Sequence, residues 1–426
     1  MLKKYSILLL AVLSLIFITS RSFADIIVIS ADGVVNPVMS EFISKSIDYA
    51  AENNSELVVI KLDTPGGLDT SMRVIVKKII SSEVPVAVFV SPSGARAASA
   101  GVFITMSAHI ASMSPGTNIG AAHPVSVGSK MDKDMAEKVV NDSAAYIRSI
   151  AEKKNRNSEW AEKAVRESVS ITAKEALKLN VIDLVSKDTA ALLEAVDGRT
   201  VKTALGERTI TTKGVNVLHR EMGMRYRILD IISDPNIAYI LMLLGFYGLF
   251  FEFTNPGAIF PGVIGAISLI LAFYSFQTLP VNYAGLMLIL LAIVLFILEI
   301  KVTSYGILSI GGLISMFIGS LMLFESPLPF FTLSLKVILP GVILTTLFFT
   351  LTVFLVIKAY KRKPVTGSEG LIGMEGTTKT DIFKDGQVSV HGEIWSAWSD
   401  EPIGAGEKIV VESMEHLKFK VKKLTR

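Results

Sequence analysis

A single hydroxyl stands among glycines and alanines in G-A-R-A-A-S-A-G-V, Gly94 to Val102. A serine on a tight turn between a strand and a helix is placed to act as a nucleophile. The helix N-terminus there offers backbone N–H groups to a developing oxyanion. The same small residues also suit close helix packing, and the stretch by itself leaves both readings open. Asp63-Thr64-Pro65-Gly66-Gly67-Leu68 is the second stretch with chemical content. Adjacent glycines let a backbone N–H come close to a substrate carbonyl, and one preorganised donor of that kind lowers a barrier by roughly 3 to 4 kcal/mol. A third turn-rich stretch, Ser114-Pro115-Gly116-Thr117-Asn118-Ile119-Gly120, either lines a cleft or is a plain loop. A serine nucleophile needs a base, and two residues qualify. His123, in A-A-H-P, needs little tuning because its unperturbed pKa is near neutral. Lys138 must be neutral to act, hence desolvated; it is flanked by Val139 and Val140 but also by Glu137.

These residues need a scaffold, and residues 25–232 read as one. Ile26-Ile29, Leu57-Leu62 and Val84-Val90 are apolar strands. Between them, Pro37 to Asn53 and Met72 to Ile80 have helical apolar spacing, as does Asp134 to Lys153 further on. Continuous apolar strands joined by helices predict a parallel sheet covered on both faces. The D-T-P-G-G-L and A-A-S-A-G stretches then both fall at the carboxyl edge of that sheet, where open α/β sheets place their sites.

The chain has 426 residues, half of them hydrophobic, with a formal net charge of +3 and no cysteine. That charge gives no sign of a nucleic-acid partner. Without cysteine there is no disulfide, thiolate metal site or thiol nucleophile, and no metal or cofactor is expected. Lys3 and Lys4, the apolar run Ile7 to Ile18 and then Ser22-Phe23-Ala24 read as a secretory signal over 1–24, cut after Ala24. An uncleaved anchor helix is the other reading. Either places the domain after Asp25 outside the cytoplasm.

Residues 236–358 change character. Five apolar runs, Ile237-Phe253, Ala258-Phe276, Val281-Ile300, Tyr305-Phe324 and Val337-Ile357, each approach the ~20 residues that a bilayer core requires. The breaks at Asn255-Pro256-Gly257 and Pro261-Gly262 leave the count at four to six. Five crossings from an exported domain put the C-terminus in the cytoplasm, and Lys358, Lys361, Arg362 and Lys363 after the last span agree with that. Lys336, on an outer loop, runs against it. Residues 365–426 are polar and Gly-punctuated, with short strands at Gln387-His391, Lys408-Glu412 and Lys418-Lys422, which suggests a small β-barrel.

In their order, D-T-P-G-G-L, A-A-S-A-G, S-P-G-T-N-I-G-A-A-H-P and K-V-V-N-D-S-A-A-Y-I resemble the long-form NfeD-type membrane-bound serine proteases of the ClpP/crotonase-like group. D-P-N-I-A-Y-I at Asp234–Ile240, G-L-I-G-M-E-G at Gly370–Gly376 and V-H-G-E-I-W at Val390–Trp395 extend the resemblance across the mature chain. The resemblance implies a ClpP/crotonase-like α/β protease domain, an α-helical transmembrane region and an OB-fold-like barrel. It implies a serine-lysine endopeptidase with Ser99 as nucleophile and Lys138 as general base. The N–H groups of Gly67 and Ala100 would hold the oxyanion, with Gly66, Gly101 and His123 as further cleft or substrate-binding residues. It also implies a stomatin-like membrane protein as partner and substrate, cleaved in an apolar segment, contact with membrane lipid, and a homodimer or higher oligomer of the protease domain.

A non-catalytic membrane scaffold for stomatin-like proteins is the competing function, and it would have no need of Ser99 and Lys138. A transporter fits less well, since the ionisable residues of the spans, chiefly Glu252 and Glu299, lie near their ends. Trp395 and Trp398 in the barrel could form a nucleic-acid platform, but no basic cluster accompanies them, so packing of the barrel and a protein-interaction role on the cytoplasmic face are expected.

Overall fold

The structure, a computed structural model, describes residues 25–125, 132–254, 257, 259–302, 304, 306–326, 329–360 and 368–424. The proposed signal at 1–24 and the basic cluster Lys361–Lys363 lie outside them.

The first domain is built on β1 (Ile26–Asp32), α1 (Pro37–Glu52), β2 (Leu57–Asp63), α2 (Asp69–Ile80) and β3 (Val86–Val90). It continues through β4 (Arg96–Ala98), α3 (Ala100–Ser107), β5 (Ile110–Met113), β6 (Asn118–Gly120), α4 (Lys133–Lys153), α5 (Ser158–Arg166), β7 (Ser170–Thr172), α6 (Ala173–Lys178) and β8 (Leu184–Val185). Helix α7 (Thr189–Val196), the hairpin β9 (Thr200–Thr203) and β10 (Gly206–Thr209), β11 (Val217–Arg220) and α8 (Met224–Ile232) complete it.

Six strands form one sheet in the order β11-β1-β2-β3-β5-β8, and every pair is parallel. Alternation of side chains explains why both faces had to be covered. Ile27, Ile29, Val58, Ile60, Val86 and Val88 point into a core roofed by α1 to α5. Ile26, Val28, Leu57, Val59, Ala87 and Phe89 point the other way, against Leu192 and Val196 of α7. Each such Val, Leu, Ile or Phe side chain, fully buried, stabilises the fold by about 1.5–3 kcal/mol. Local signals begin the helices where expected. Asn36 Oδ1 accepts from the Met39 N–H at 2.8 Å with Pro37 in the first turn of α1, and Asp132 Oδ1 accepts from the Met135 N–H at 2.7 Å to start α4.

The sequence reading runs strand β3 through a turn directly into the helix that carries Ser99. The structure interposes β4, which joins β6 and β7 in a separate three-stranded sheet. The stretch Ser114–Gly120 therefore supplies a strand that braces the serine turn. Strand β11 was equally hidden: it returns from the far end of the domain to pair with β1, with Ile26 opposite Val217.

Five apolar helices follow: α9 (Pro235–Thr254), α10 (Ile259–Phe276), α11 (Tyr283–Lys301), α12 (Ile307–Met322) and α13 (Leu335–Tyr360). Among the described residues three are long and apolar enough to cross a membrane, α9, α10 and α13; the described parts of the other two, Tyr283–Glu299 and Ile307–Met322, are shorter. Small residues let α9 and α10 meet backbone to backbone. A Cβ on Gly248 would stand 2.5 Å from the Pro261 carbonyl oxygen and 2.6 Å from Gly265 Cα, the close approach by which membrane helices associate. The large apolar side chains Phe253, Phe260, Ile307 and Leu347 face outward.

The chain divides into two units, the second comprising 296–309 and 345–426. Within it, β12 (Glu375–Thr378), β13 (Gly386–Val390), β14 (Glu393–Trp398), β15 (Lys408–Glu415) and β16 (Lys418–Lys423) close a barrel in the order β12-β13-β14-β16-β15. The pairing of β14 with β16 is parallel and the rest are antiparallel, an OB-fold arrangement. Trp395 packs on Phe419 at 4.9 Å between ring centroids, and Lys420 lies 5.1 Å over Trp398. Trp395 thus serves the barrel's own packing, and Trp398 carries a cation of the neighbouring strand on its ring.

Candidate active site

The turn that carries Ser99 is built by backbone pairing on both sides. Past the end of β2, the Thr64 N–H donates to the Arg96 carbonyl at 2.8 Å and the Ala98 N–H donates to the Thr64 carbonyl at 3.1 Å. This pairing lays D-T-P-G-G-L beside A-A-S-A-G. On the other side, β6 pairs with β4 and the Ser99 N–H donates to the Gly120 carbonyl at 3.1 Å. Clamped between them, Ser99 adopts φ 51° and ψ −113° as the N-cap of α3. A non-glycine residue at positive φ is strained by about 1–3 kcal/mol, and such strain persists only where the surroundings impose it. Its side chain does not cap the helix and has no hydrogen-bond partner among the described residues.

The glycines differ in what they do. Gly66 has φ +119° and abuts Ser99, while Gly67 bridges to Val35. That bridge consists of the Val35 N–H donating to the Gly66 carbonyl at 2.9 Å and the Leu68 N–H donating to the Val35 carbonyl at 2.8 Å. In a parallel bridge of this kind the central residue's own N–H points away from its partner, so the Gly67 N–H faces outward from Val35. Ala100, at the first position of α3, has an N–H with no intrahelical acceptor, as every helix start does. Gly101, by contrast, packs against Thr64 and Ala97 inside the domain and does not reach the cleft.

A cleft of about 550 Å³ is lined by Gly67, Leu68, Met72, Ser99, Ala100, Phe103, Val125, Lys138 and Val139, among others. Its wall is mostly apolar. Lys138 comes to it from the second turn of α4, a separate element from the serine turn, and its side chain is exposed. Packing among the described residues leaves that side chain open to solvent. Among the described residues Lys138 makes no ion pair. The two candidate bases separate here. His123 is half-buried, its Nδ1 lies 2.8 Å from the Val165 carbonyl oxygen, and it is not among the cleft-lining residues, although Ala122 and Pro124 are.

Sequence reasoning missed Arg73. On α2, it donates from Nε to Asp69 at 2.8 Å and through Nη2 to Asp142 on α4 at 2.5 Å, with its guanidinium 4.4 Å over the Tyr146 ring. Arg73, Asp69 and Asp142 all line the cleft. The only sequence signal was the (i, i+4) spacing of Asp69 and Arg73; the link to Asp142 is tertiary. Burial pushes the nearby Tyr146 hydroxyl up, Arg73 opposing and Asp69 adding to the shift. No group of His, Cys, Asp and Glu side chains among the described residues is arranged to hold a metal.

A parallel α/β domain with this serine turn, joined to apolar helices and a closed barrel, is the architecture of a membrane protease, and the chain belongs to the NfeD family. Three family models match it: the NfeD1b N-terminal domain over residues 25–203, the NfeD integral membrane domain over 236–357 and the NfeD-like C-terminal, partner-binding domain over 368–423. It is 36% identical over 426 residues to the membrane-bound protease PH1510 of Pyrococcus horikoshii, the match covering 96% of each chain. It is 27% identical over 294 residues to the membrane protein NfeD1b of Bacillus subtilis, covering 68% of this chain and 65% of that one. Among solved structures it is similar to the 1510-N membrane protease specific for a stomatin homolog from Pyrococcus horikoshii. There the TM-score is 0.44 and the identity 32%, over 49% of this chain and 99% of the other.

Proposed function

We propose that this membrane protease is a serine endopeptidase in which Ser99 is the nucleophile and Lys138 the general base. The observation that carries the reading is the convergence of Ser99, Lys138 and the Gly67 and Ala100 backbones on one apolar cleft. Neutral Lys138 takes the Ser99 proton as Oγ attacks the scissile carbonyl. The Gly67 and Ala100 N–H groups hold the oxyanion. The lysine then gives its proton to the leaving amine as the C–N bond breaks, and an acyl-enzyme remains on Ser99. Water, deprotonated by the same lysine, hydrolyses that ester and restores Ser99.

The exposure of Lys138 and the apolar wall have a common consequence. A substrate segment that fills the cleft removes water from Lys138 and so favours its neutral form. An apolar segment does this best, because it brings no charge to hold the proton. The substrate class we propose is accordingly an apolar stretch of a membrane-associated protein. The relative 1510-N, named as specific for a stomatin homolog, supports a stomatin-like partner here. The protease domain would lie outside the cytoplasm, act as a homodimer or larger assembly, and be tethered by the membrane helices with the barrel on the cytoplasmic side. His123, between the lining residues Ala122 and Pro124, keeps its ring on the Val165 carbonyl oxygen outside the cleft.

The test is labelling of the full chain in detergent micelles with a serine-directed fluorophosphonate, together with cleavage of apolar peptides. Ser99→Ala should abolish both, and Lys138→Ala should slow both by about 10²-fold or more. Cleavage at the wild-type rate by both variants would leave the non-catalytic scaffold as the better reading.

A further inference from the structure

A lysine that serves as base must be able to lose its proton, and a carboxylate paired with it opposes that. Carboxylates precede and follow Lys138 along its helix. On its own helix Asp134 stands one turn before it, Glu137 beside it and Asp142 one turn after it. From α2, Asp69 and Arg73 face the same cleft, and Ser99 faces it from the serine turn. Residues four apart on a helix lie within side-chain reach, so Asp142 is a ready partner for Lys138. Asp142 is also the only helix-mate of Lys138 with a carboxylate in the cleft lining among the described residues.

Arg73 takes that carboxylate instead. It is held from three sides: by Asp69 at 2.8 Å, by Asp142 at 2.5 Å and by the face of Tyr146 at 4.4 Å. Tyr146 is itself fixed by Phe103, ring centroids 5.9 Å apart. Arg73 thus spans the cleft between α2 and α4 and neutralises Asp142.

We propose that Arg73 is a positioning residue for the proposed Ser99–Lys138 pair: it holds Asp142 so that Lys138 is left without a counter-ion in the cleft. This rests on the reading of Lys138 as the base. Two effects act with the same sign. Asp142 is occupied, and the guanidinium puts a second cation in the same cleft, which disfavours a protonated amine there. The side chains of Arg73 and Asp142 retain 36% and 67% of their accessibility, so solvent screens the effect and its size is modest.

The test measures the rate at which a fluorophosphonate labels Ser99 in the full chain in detergent micelles, from neutral to alkaline pH. In the wild type the rate rises along a limb set by loss of the Lys138 proton. Arg73→Gln moves that limb up by about half a pH unit, while the rate at the alkaline plateau is kept. Adding Asp142→Asn to Arg73→Gln moves the limb back. Asp142→Asn alone moves it down, since a carboxylate is lost while Arg73 keeps only Asp69 as counter-charge, and Arg73→Lys leaves it near the wild-type position. The inference is overturned if Arg73→Gln lowers the plateau without moving the limb, or if the double variant fails to restore it. Failure of the underlying reading looks different. Lys138→Ala would then keep the wild-type limb with Arg73 intact, and both proposals would fall.

Discussion

Gly66 and Ser99 are in contact through the space where a Cβ would be: a methyl group on Gly66 would stand 2.7 Å from Ser99 Cβ and 3.1 Å from Ser99 Oγ. The two residues come from different loops, and only the pairing of Thr64 with Arg96 and Ala98 sets them side by side. The backbone at Gly66, with φ +119°, also excludes other residues without strain. Each loop therefore limits the position of the other.

Replacing Gly66 by alanine should displace the serine turn relative to the Gly67 N–H. A misplacement near 1 Å costs on the order of 10²-fold in rate. We expect Gly66→Ala to lose fluorophosphonate labelling of Ser99 by about that factor while the far-UV circular dichroism of the solubilised chain is unchanged. Labelling at the wild-type rate would mean that the loop does not position the proposed oxyanion donor.

Ser99 itself is held at φ 51° and ψ −113°. Glycine adopts this conformation freely, so Ser99→Gly should relieve strain of about 1–3 kcal/mol, less the cost of a more flexible unfolded chain. The expected net result is a stabilisation of roughly 1 kcal/mol together with complete loss of labelling. The measurement is the thermal midpoint of the chain in detergent, followed through tryptophan emission, to which the buried Trp160 of this domain contributes. A lower midpoint would show that the turn is not strained in the folded protein.

A third prediction concerns acid. His109 directly precedes β5 beside Val86, its Nδ1 accepting the Val86 N–H at 3.1 Å and its buried Nε2 without a partner among the described residues. Burial, with Lys154 and Arg156 adding to it, pushes His109 down to about 3. The unfolded chain then binds a proton more readily than the folded one between about pH 6.5 and pH 3. The stabilisation is thus fully present above about pH 6.5 and is lost as pH falls towards 3, by on the order of 4–5 kcal/mol. His109→Gln should flatten that part of the curve of thermal midpoint against pH. An unchanged slope in the variant would assign the acid sensitivity to the carboxylates.

Much of the molecule is legible in its amino-acid sequence. The apolar runs from Ile26 to Val90 require a parallel sheet because strands buried on both faces carry no polar alternation, and six parallel strands are present. The apolar stretches from residue 237 onward are helices for a similar reason: in lipid the backbone must satisfy its own hydrogen bonds. Composition and spacing say nothing, however, of contacts between residues far apart in sequence. β11 reaches β1 across nearly the whole domain, and β4 and β6 make a sheet of three residues each, too short to leave a periodic signal.

The sequence determined which residue types could do chemistry, Ser99 with two glycines and a histidine or a lysine, and roughly where along the strands they sit. Only the tertiary structure sets the two candidate bases apart in space, with Lys138 in the cleft lining and His123 outside it. The direction a side chain takes from its helix or loop depends on what the element packs against: α4 turns Lys138 into the cleft, while Val165 of α5 holds His123 by its ring nitrogen. The same is true of Arg73, an unremarkable residue of an amphipathic helix until folding sets Asp142 and Tyr146 around it.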